Sequence, residues 1–403
     1  MASKAGKNTP IPLIIGAGGI NPAGRVSGHH AYRRLVIDSL SREKQERTYL
    51  SLAKLMNREK TESINESDKQ YIRNHTLIRK IEAFDTSKVL WQTPLSFLAS
   101  DSKQNEFNLT EKNIPDSLRS RLNIPDSESD VLRVKTQEQI DVLLPEYRES
   151  KVTSAGQLPS GFDPGSLYAS RSHPRALQMT IYAASDAIRS TGFSIDQLRN
   201  MVPPDQIAVY SGSAMGQLDE ESYGGLLQNA LIGKRPSSKH CALGLPEMAG
   251  DFVNAYVLGS VGETAGIIGA CATFLYNVKR GMDDIRTGNK RIVVVGNSEA
   301  PVQPQVIEGY RVMGALADDE SLKTLDNSDV CDNRRACRPF SSNSGFTVAE
   351  ASVWIVLMDD ELALEVGARN LGAVGDVFVN ADGYKKSIPG PGIGNYITMA
   401  NAL

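Results

Sequence analysis

The chain has 403 residues, enough to bury a large core and to hold two or three domains. With 40% hydrophobic and 23% charged residues and a formal net charge of −3, it has the make-up of a water-soluble globular protein. That charge gives no overall attraction to nucleic acid or an anionic membrane, and no stretch approaches transmembrane length.

In chain order, Ile11–Ile15 predicts a buried strand that breaks at a glycine turn, "GAGGINPAG". From Ser41 to Ser150 the character changes. The charge-rich run "SREKQERTYLSLAKLMNREKTESINESDKQYIRNHTLIRKIEAF" has a helical pattern, so 41–154 is expected to be a charged helical insertion. A loop, "SAGQLPSGFDPGS", follows it. Leu177, Ile181, Ala184 and Ile188 then share one helical face, with Pro174 suited to the first turn. Gln206–Tyr210 predicts a strand running into a glycine-containing turn, and a strand near Ile267 delivers Cys271. Phe274, Leu275, Val278, Met282 and Ile285 line one side of the next helix. "RIVVVGNSEAP" is an uninterrupted apolar strand, as expected where helices cover both sheet faces, and "GFTVAEASVWIVLMDD" supplies one or two more. Alternating strands and helices predict a layered α/β fold with a mostly parallel sheet.

Three stretches carry candidate chemistry. In "GAGGINPAG", Gly16 and Gly18 fit a dinucleotide fingerprint, but Asn21 takes the third glycine's place and Pro22 follows, so a tight turn is the better reading. "VVVGNSEAP" approaches a serine-hydrolase elbow, yet Pro301 and Pro304 stand where the helix should run. Cys271 is stronger. A thiol at a helix head lies near the positive end of the helix dipole and beside backbone N–H groups, which favour a nucleophilic thiolate and an oxyanion. Its local pattern fits a small buried residue equally well. The four cysteines, Cys241, Cys271, Cys331 and Cys337, are sparse for a disulfide framework, which implies a reducing cytoplasm. Cys331 and Cys337 flank "DNRRA", which is not a zinc spacing, and no metal site is expected. None of His29, His30, His75, His173 and His240 has a context that marks a general base.

Six blocks in order carry a resemblance: "PLIIGAGGINPAG", "SHPRALQMTIYAASDAI", "IAVYSGSAMG", "GACATFLYNVKRGMDDIRTGNKRIVVVGNSE", "GYRVMGALA" and "RPFSSNSGFTVAEASVWIVLMDD". Over residues 8–40 and 155–403 the chain resembles the β-ketoacyl-(acyl-carrier-protein) synthases, condensing enzymes of the thiolase-like fold. Its long insert is similar to that of the larger bacterial members. The resemblance implies an αβαβα layered fold. Residues 1–40 and 155–365 would form its N-terminal half around the 41–154 insertion, and 366–403 would begin a truncated second half.

It further implies a decarboxylative Claisen condensation of malonyl-carrier thioester with an acyl primer held on Cys271. Tyr310, Met215 and Phe274 would then contact substrate, the Cys271 N–H would form half of an oxyanion hole, and Glu350 would support the site. The implied partners are the acyl carrier protein, a primer on coenzyme A or the carrier, and a second copy in a homodimer, with no cofactor, metal, nucleic acid or membrane. The family's two catalytic histidines, lysine and gating phenylalanine lie in its second half, and no histidine here matches their context. The chain is therefore expected to take up an acyl group without completing condensation alone. Ser341, Ser342, Asn343 and Ser344 stand where the family usually carries an Asp and an Arg. A polyketide or polyunsaturated-lipid ketosynthase and a non-catalytic partner subunit are the competing readings, the last usually lacking the cysteine.

Overall fold

The computed structural model describes residues 9–58, 63–98, 104–110, 112, 114, 116–119, 122, 130–383 and 392–403. The chain divides into two compact units, Met1–Phe84 with Lys151–Leu403, and Asp85–Ser150. Among the described residues no helix is long and apolar enough to cross a membrane.

The larger unit is built on one sheet whose strands are β1 (Pro12–Asn21), β2 (Ile207–Gly212), β3 (Glu263–Ala265), β4 (Ile292–Glu299), β5 (Ala351–Asp359) and β6 (Gly372–Ala373). Their spatial order is β3-β2-β4-β5-β1-β6, and the short Gly24–Arg25 strand also pairs with β1. Only the β3-β2-β4 end is parallel; β4-β5, β5-β1 and β1-β6 are antiparallel. The expected mostly parallel sheet is thus corrected to a mixed one. Apolar runs buried on both faces look alike in either direction, so periodicity carries no strand polarity.

Both faces are covered. On one, Ile292 and Val294 of β4 pack with Val209, Trp354 and Val356 against helix α1 (Arg175–Ser190) through Leu177, Ala184 and Ile188. On the other, Val293 and Val295 pack with Ala208, Tyr210 and Leu357 against α2 (Thr273–Arg286) through Val278 and Ile285. Each such Val, Leu or Ile, fully buried, contributes about 1.5–3 kcal/mol. This helix–sheet–helix layering is the expected layered α/β architecture.

β1 does not break at its glycines. It pairs with β5 from Pro12 to Ile20 through one bulge between Ile14 and Gly16. Glycine is needed there because α1 crosses in contact: a Cβ on Gly18 would lie 2.2 Å from the Ala187 nitrogen. The "GAGG" run is a packing surface, which excludes the dinucleotide loop, and the expected tight turn comes at the end of the same stretch, at Pro22–Ala23 between β1 and the Gly24–Arg25 strand.

The 41–154 insertion is also corrected. Helices Arg42–Leu55 and Glu66–Asn74 belong to the larger unit, where Tyr49, Leu52, Met56 and Ile72 form a cluster with Ile37. The separate unit, Asp85–Ser150, is mainly β, with antiparallel pairs Val89–Phe97 with Ile140–Arg148 and Asn105–Thr110 with Val131–Thr136. Alternation in "VLRVKT", where Leu132, Val134 and Thr136 are buried between exposed neighbours, was the available signal.

Candidate active site

Cys271 is exposed, in the short turn Ala270–Ala272 that leads into α2. The strand that delivers it ends at Ala265, earlier than the sequence predicts, and residues 266–269 form a loop. Two buried side chains of α2 hold that loop. Asn277 accepts from the Ile267 N–H and donates to the Ile267 carbonyl, each at 3.0 Å. The Thr273 hydroxyl accepts from the Gly269 N–H at 3.1 Å and donates to the Ala270 carbonyl at 2.7 Å. The loop is held firmly enough to keep Ala270 at φ 50°, a left-handed conformation costing about 1–2 kcal/mol for an alanine. A tight, pinned turn thus projects the thiol outward at the head of a fourteen-residue helix.

Tyr310, on α3 (Pro304–Val312), stands close enough to Cys271 and Glu299 for both to raise its phenol, although burial is the larger cause. Its hydroxyl donates to the Met215 sulfur at 3.1 Å. The pair forms part of the wall of an apolar groove of about 450 Å³, completed by Leu218, Tyr223, Leu227 and Val306 among others. The structure therefore brings Cys271, Tyr310 and Met215 into one neighbourhood.

Phe274 is not part of that groove. It is half-buried and packs against the sheet with Ala208, Tyr210 and Val278. Positions 274 and 278, one turn apart on α2, face the sheet together, whereas Cys271 lies ahead of the helix in the Ala270–Ala272 turn and is not bound to that face. Leu275, expected on the buried side, is exposed. Glu350 is buried and takes a fork of bonds from Arg175, Nε to Oε1 at 3.0 Å and Nη2 to Oε2 at 3.2 Å, with the Leu158 N–H at 3.1 Å. It ties the chain just before β5 to the first residue of α1, a supporting position away from the thiol's own loop.

Glu299, which the sequence does not mark as a site residue, closes β4. Its carboxylate accepts from the Ala214 N–H, from the Ser213 hydroxyl at 3.0 Å and from Asn297 Nδ2 at 3.2 Å. It thereby anchors the loop that carries Met215. A carboxylate closing a strand that opens on four apolar residues was the available signal. Burial lifts its pKa above the usual carboxylate range, outweighing these three hydrogen bonds.

The folded pKa is raised, so ionised Glu299 costs stability above the folded pKa, and that cost fades as pH falls toward the unfolded value. Glu299→Gln does not titrate there, so its stability relative to wild type should rise with pH. Urea midpoints at pH 5 and pH 8 check this, and a variant that loses ground on going to pH 8 overturns it.

The remaining chemistry candidates are engaged elsewhere. Ser298 is buried and bonded to Thr180 and Ser352, both at 2.7 Å, which excludes the serine-hydrolase reading. His75 stacks on Tyr71, His173 lies among Tyr168, Phe252 and Tyr256, and buried His240 accepts from the Ser237 N–H. Cys331 is pushed up to about 11 by burial and by Asp319.

Comparison with known proteins supports the same region. The family profile "Beta-ketoacyl synthase, N-terminal domain" matches residues 122–363, which include Cys271, Met215, Glu299 and Tyr310. The chain is 47% identical over 410 residues to the β-ketoacyl-[acyl-carrier-protein] synthase FabY of Pseudomonas aeruginosa, covering 98% of this chain and 65% of that protein. The crystal structure of the noncanonical ketosynthase FabY from that organism superposes with a TM-score of 0.94 at 47% identity, covering 99% of this chain and 65% of that one. Nodulation protein E of Rhizobium leguminosarum bv. trifolii is 27% identical over 223 residues, covering 53% of this chain and 49% of its own. The chain thus spans about two thirds of the length of the FabY protein it matches. With a family profile over most of its length and this fold, the chain belongs to the β-ketoacyl synthase family and carries that family's N-terminal domain.

Proposed function

We propose that this chain supplies the acyl-accepting half of a 3-oxoacyl-[acyl-carrier-protein] synthase of fatty acid synthesis. The Cys271 thiolate attacks the carbonyl of an acyl thioester, on coenzyme A or the carrier protein. A C–S bond forms, the old one breaks, and the donor leaves as a thiol. A malonyl thioester of the carrier protein then loses carbon dioxide. Its carbanion attacks the acyl-enzyme carbonyl, a C–C bond forms, and Cys271 leaves as thiolate. The Cys271 backbone N–H contributes to the oxyanion site, while Met215 and Tyr310 wall the path of the acyl chain. Glu350, held by Arg175, supports the sheet on which this arrangement is built.

The observation that carries the reading is the exposed thiol on a pinned turn at a helix head, beside an apolar groove. The expected homodimer has a surface to use. β3 is the three-residue edge of the sheet, flanked by exposed Val261, Ile267 and Ile268. A cytoplasmic setting with acidic carrier protein as partner completes the proposal.

Incubation of the protein with acetyl and longer acyl thioesters, followed by peptide mass mapping, tests it. The acyl group should sit on the peptide holding Cys271. No transfer, or transfer to Cys241 or Cys337 instead, removes the reading. The groove makes a second prediction: Met215→Trp fills it, so loading of an eight-carbon primer should fall about tenfold or more while acetyl loading changes little. Equal loss for both primers, read by the same mapping, counts against Met215 as a wall of the acyl path.

A further inference from the structure

A second cavity, of about 350 Å³, opens among the Gly24–Arg25 strand, the helices His30–Leu35 and Arg42–Leu55, and residues 162–167. It shares no lining residue with the Met215–Tyr310 groove. Its volume lies in the range of small-molecule sites, about 300–1,000 Å³.

One side of it is cationic and pre-set. Arg25 Nε donates to Asp186 and to the Ser27 hydroxyl. The Asp186 carboxylate is buried and fully used, since it also accepts from the Gly19 N–H at 2.9 Å, the Ser27 N–H at 3.2 Å and the Ser27 hydroxyl at 2.7 Å. The guanidinium is thereby held by its Nε, while its two terminal amino groups bond to none of the described residues. That is the fork geometry to which phosphate and carboxylate oxygens are matched. Lys54 lines the same cavity and has no ion pair among the described residues.

His30 adds a ring whose Nδ1 lies 3.1 Å from the Ser51 hydroxyl. Its pKa is lowered, by burial first and then by Arg25, Arg33 and Arg47, against Asp186, which acts in the opposite sense. The surroundings of that ring are thus positive overall. Asp163 is the one acid lining the cavity, and its carboxylate accepts from the Gly165 N–H at 3.0 Å.

The facing wall is apolar. Phe162 and Tyr182 meet edge to face at 5.0 Å, with Leu55 and Leu167 beside them. Burial, and then Asp186, push the Tyr182 phenol up to about 12, so it presents a neutral ring. We propose that this cavity binds a small phosphate-bearing molecule with a flat or apolar body, of about nucleoside-monophosphate size. Donors from two chain segments, Arg25 on the Gly24–Arg25 strand and Ser51 and Lys54 on the helix Arg42–Leu55, line the cavity to receive the oxyanion, and the aromatic wall takes the body. The inference is independent of the acyl-transfer reading.

Isothermal titration calorimetry of the full chain at low ionic strength tests it, with adenosine 5′-monophosphate and inorganic phosphate as probes. The nucleotide should bind saturably, and inorganic phosphate about tenfold or more weakly for want of a body. Lys54→Gln and Arg25→Lys should each weaken nucleotide binding about tenfold. Arg25→Lys keeps a cation for Asp186, and an unchanged thermal midpoint in Lys54→Gln confirms an intact fold. Absence of saturable binding by either probe, equal affinity for both, or wild-type nucleotide affinity in Lys54→Gln overturns the proposal.

Discussion

Cys271→Ala should abolish acylation of the protein while leaving its fold intact. The side chain is exposed, so its removal opens no cavity, and the thermal midpoint should stay within the change expected of a surface substitution, about 0.5 kcal/mol. The clamps on the loop come from Asn277 and Thr273, and the Ala270 conformation depends on them and not on the thiol. Only the nucleophile is lost. Transfer to the protein should fall by about three orders of magnitude or more, to the background of unactivated side chains. Intact-mass spectrometry after incubation with an acyl thioester reads the result. A variant that still carries one acyl group per chain sinks the assignment, and a variant that unfolds would show the thiol to be structural.

The largest stability effect is expected far from that thiol, at Gly18→Ala. The added Cβ would lie 2.2 Å from the Ala187 nitrogen, 2.4 Å from the Asp186 carbonyl carbon and 2.6 Å from the Ala187 Cα. All three are helix backbone, and no rotamer change can clear them. The whole of α1 must lift from the sheet, loosening the layer formed by Leu177, Ala184, Ile188 and Trp354. It also moves Asp186 from the four donors it serves at Gly19, Ser27 and Arg25. Overpacking usually costs about 1–3 kcal/mol; with rigid backbone on the far side, about 3 kcal/mol or more is expected here. Urea denaturation measures it. A loss under about 1 kcal/mol would mean that α1 and β1 are not in contact as described. Because Asp186 also orients Arg25, the same variant should weaken nucleotide binding in the second cavity.

Features that depend on near neighbours along the chain were legible in its residue order. α1 appears over Arg175–Ser190 because Leu177, Ala184 and Ile188 recur at helical spacing. β4 appears as an unbroken apolar run because its alternate residues are taken by two layers. Cys271 was legible as a thiol at a helix head, since the switch from apolar run to amphipathic pattern lies within a few residues of it.

Features that depend on a partner distant in the chain emerged from packing. β1 runs through its glycines because α1, some 170 residues later, needs the space they leave. Strand direction was settled by which strands pair, which no local period encodes. Phe274 went to the sheet face and Glu299 to the site because rotation about a helix or strand axis is fixed by what packs on it, and those contacts come from β2, β4 and the 213–216 loop. The Asp85–Ser150 unit proved mainly β because cross-strand pairing of residues up to tens of positions apart outweighed the charge pattern preceding it. Local periodicity reports backbone preference; the choice of face, partner and direction is made by long-range packing, which a linear reading does not contain.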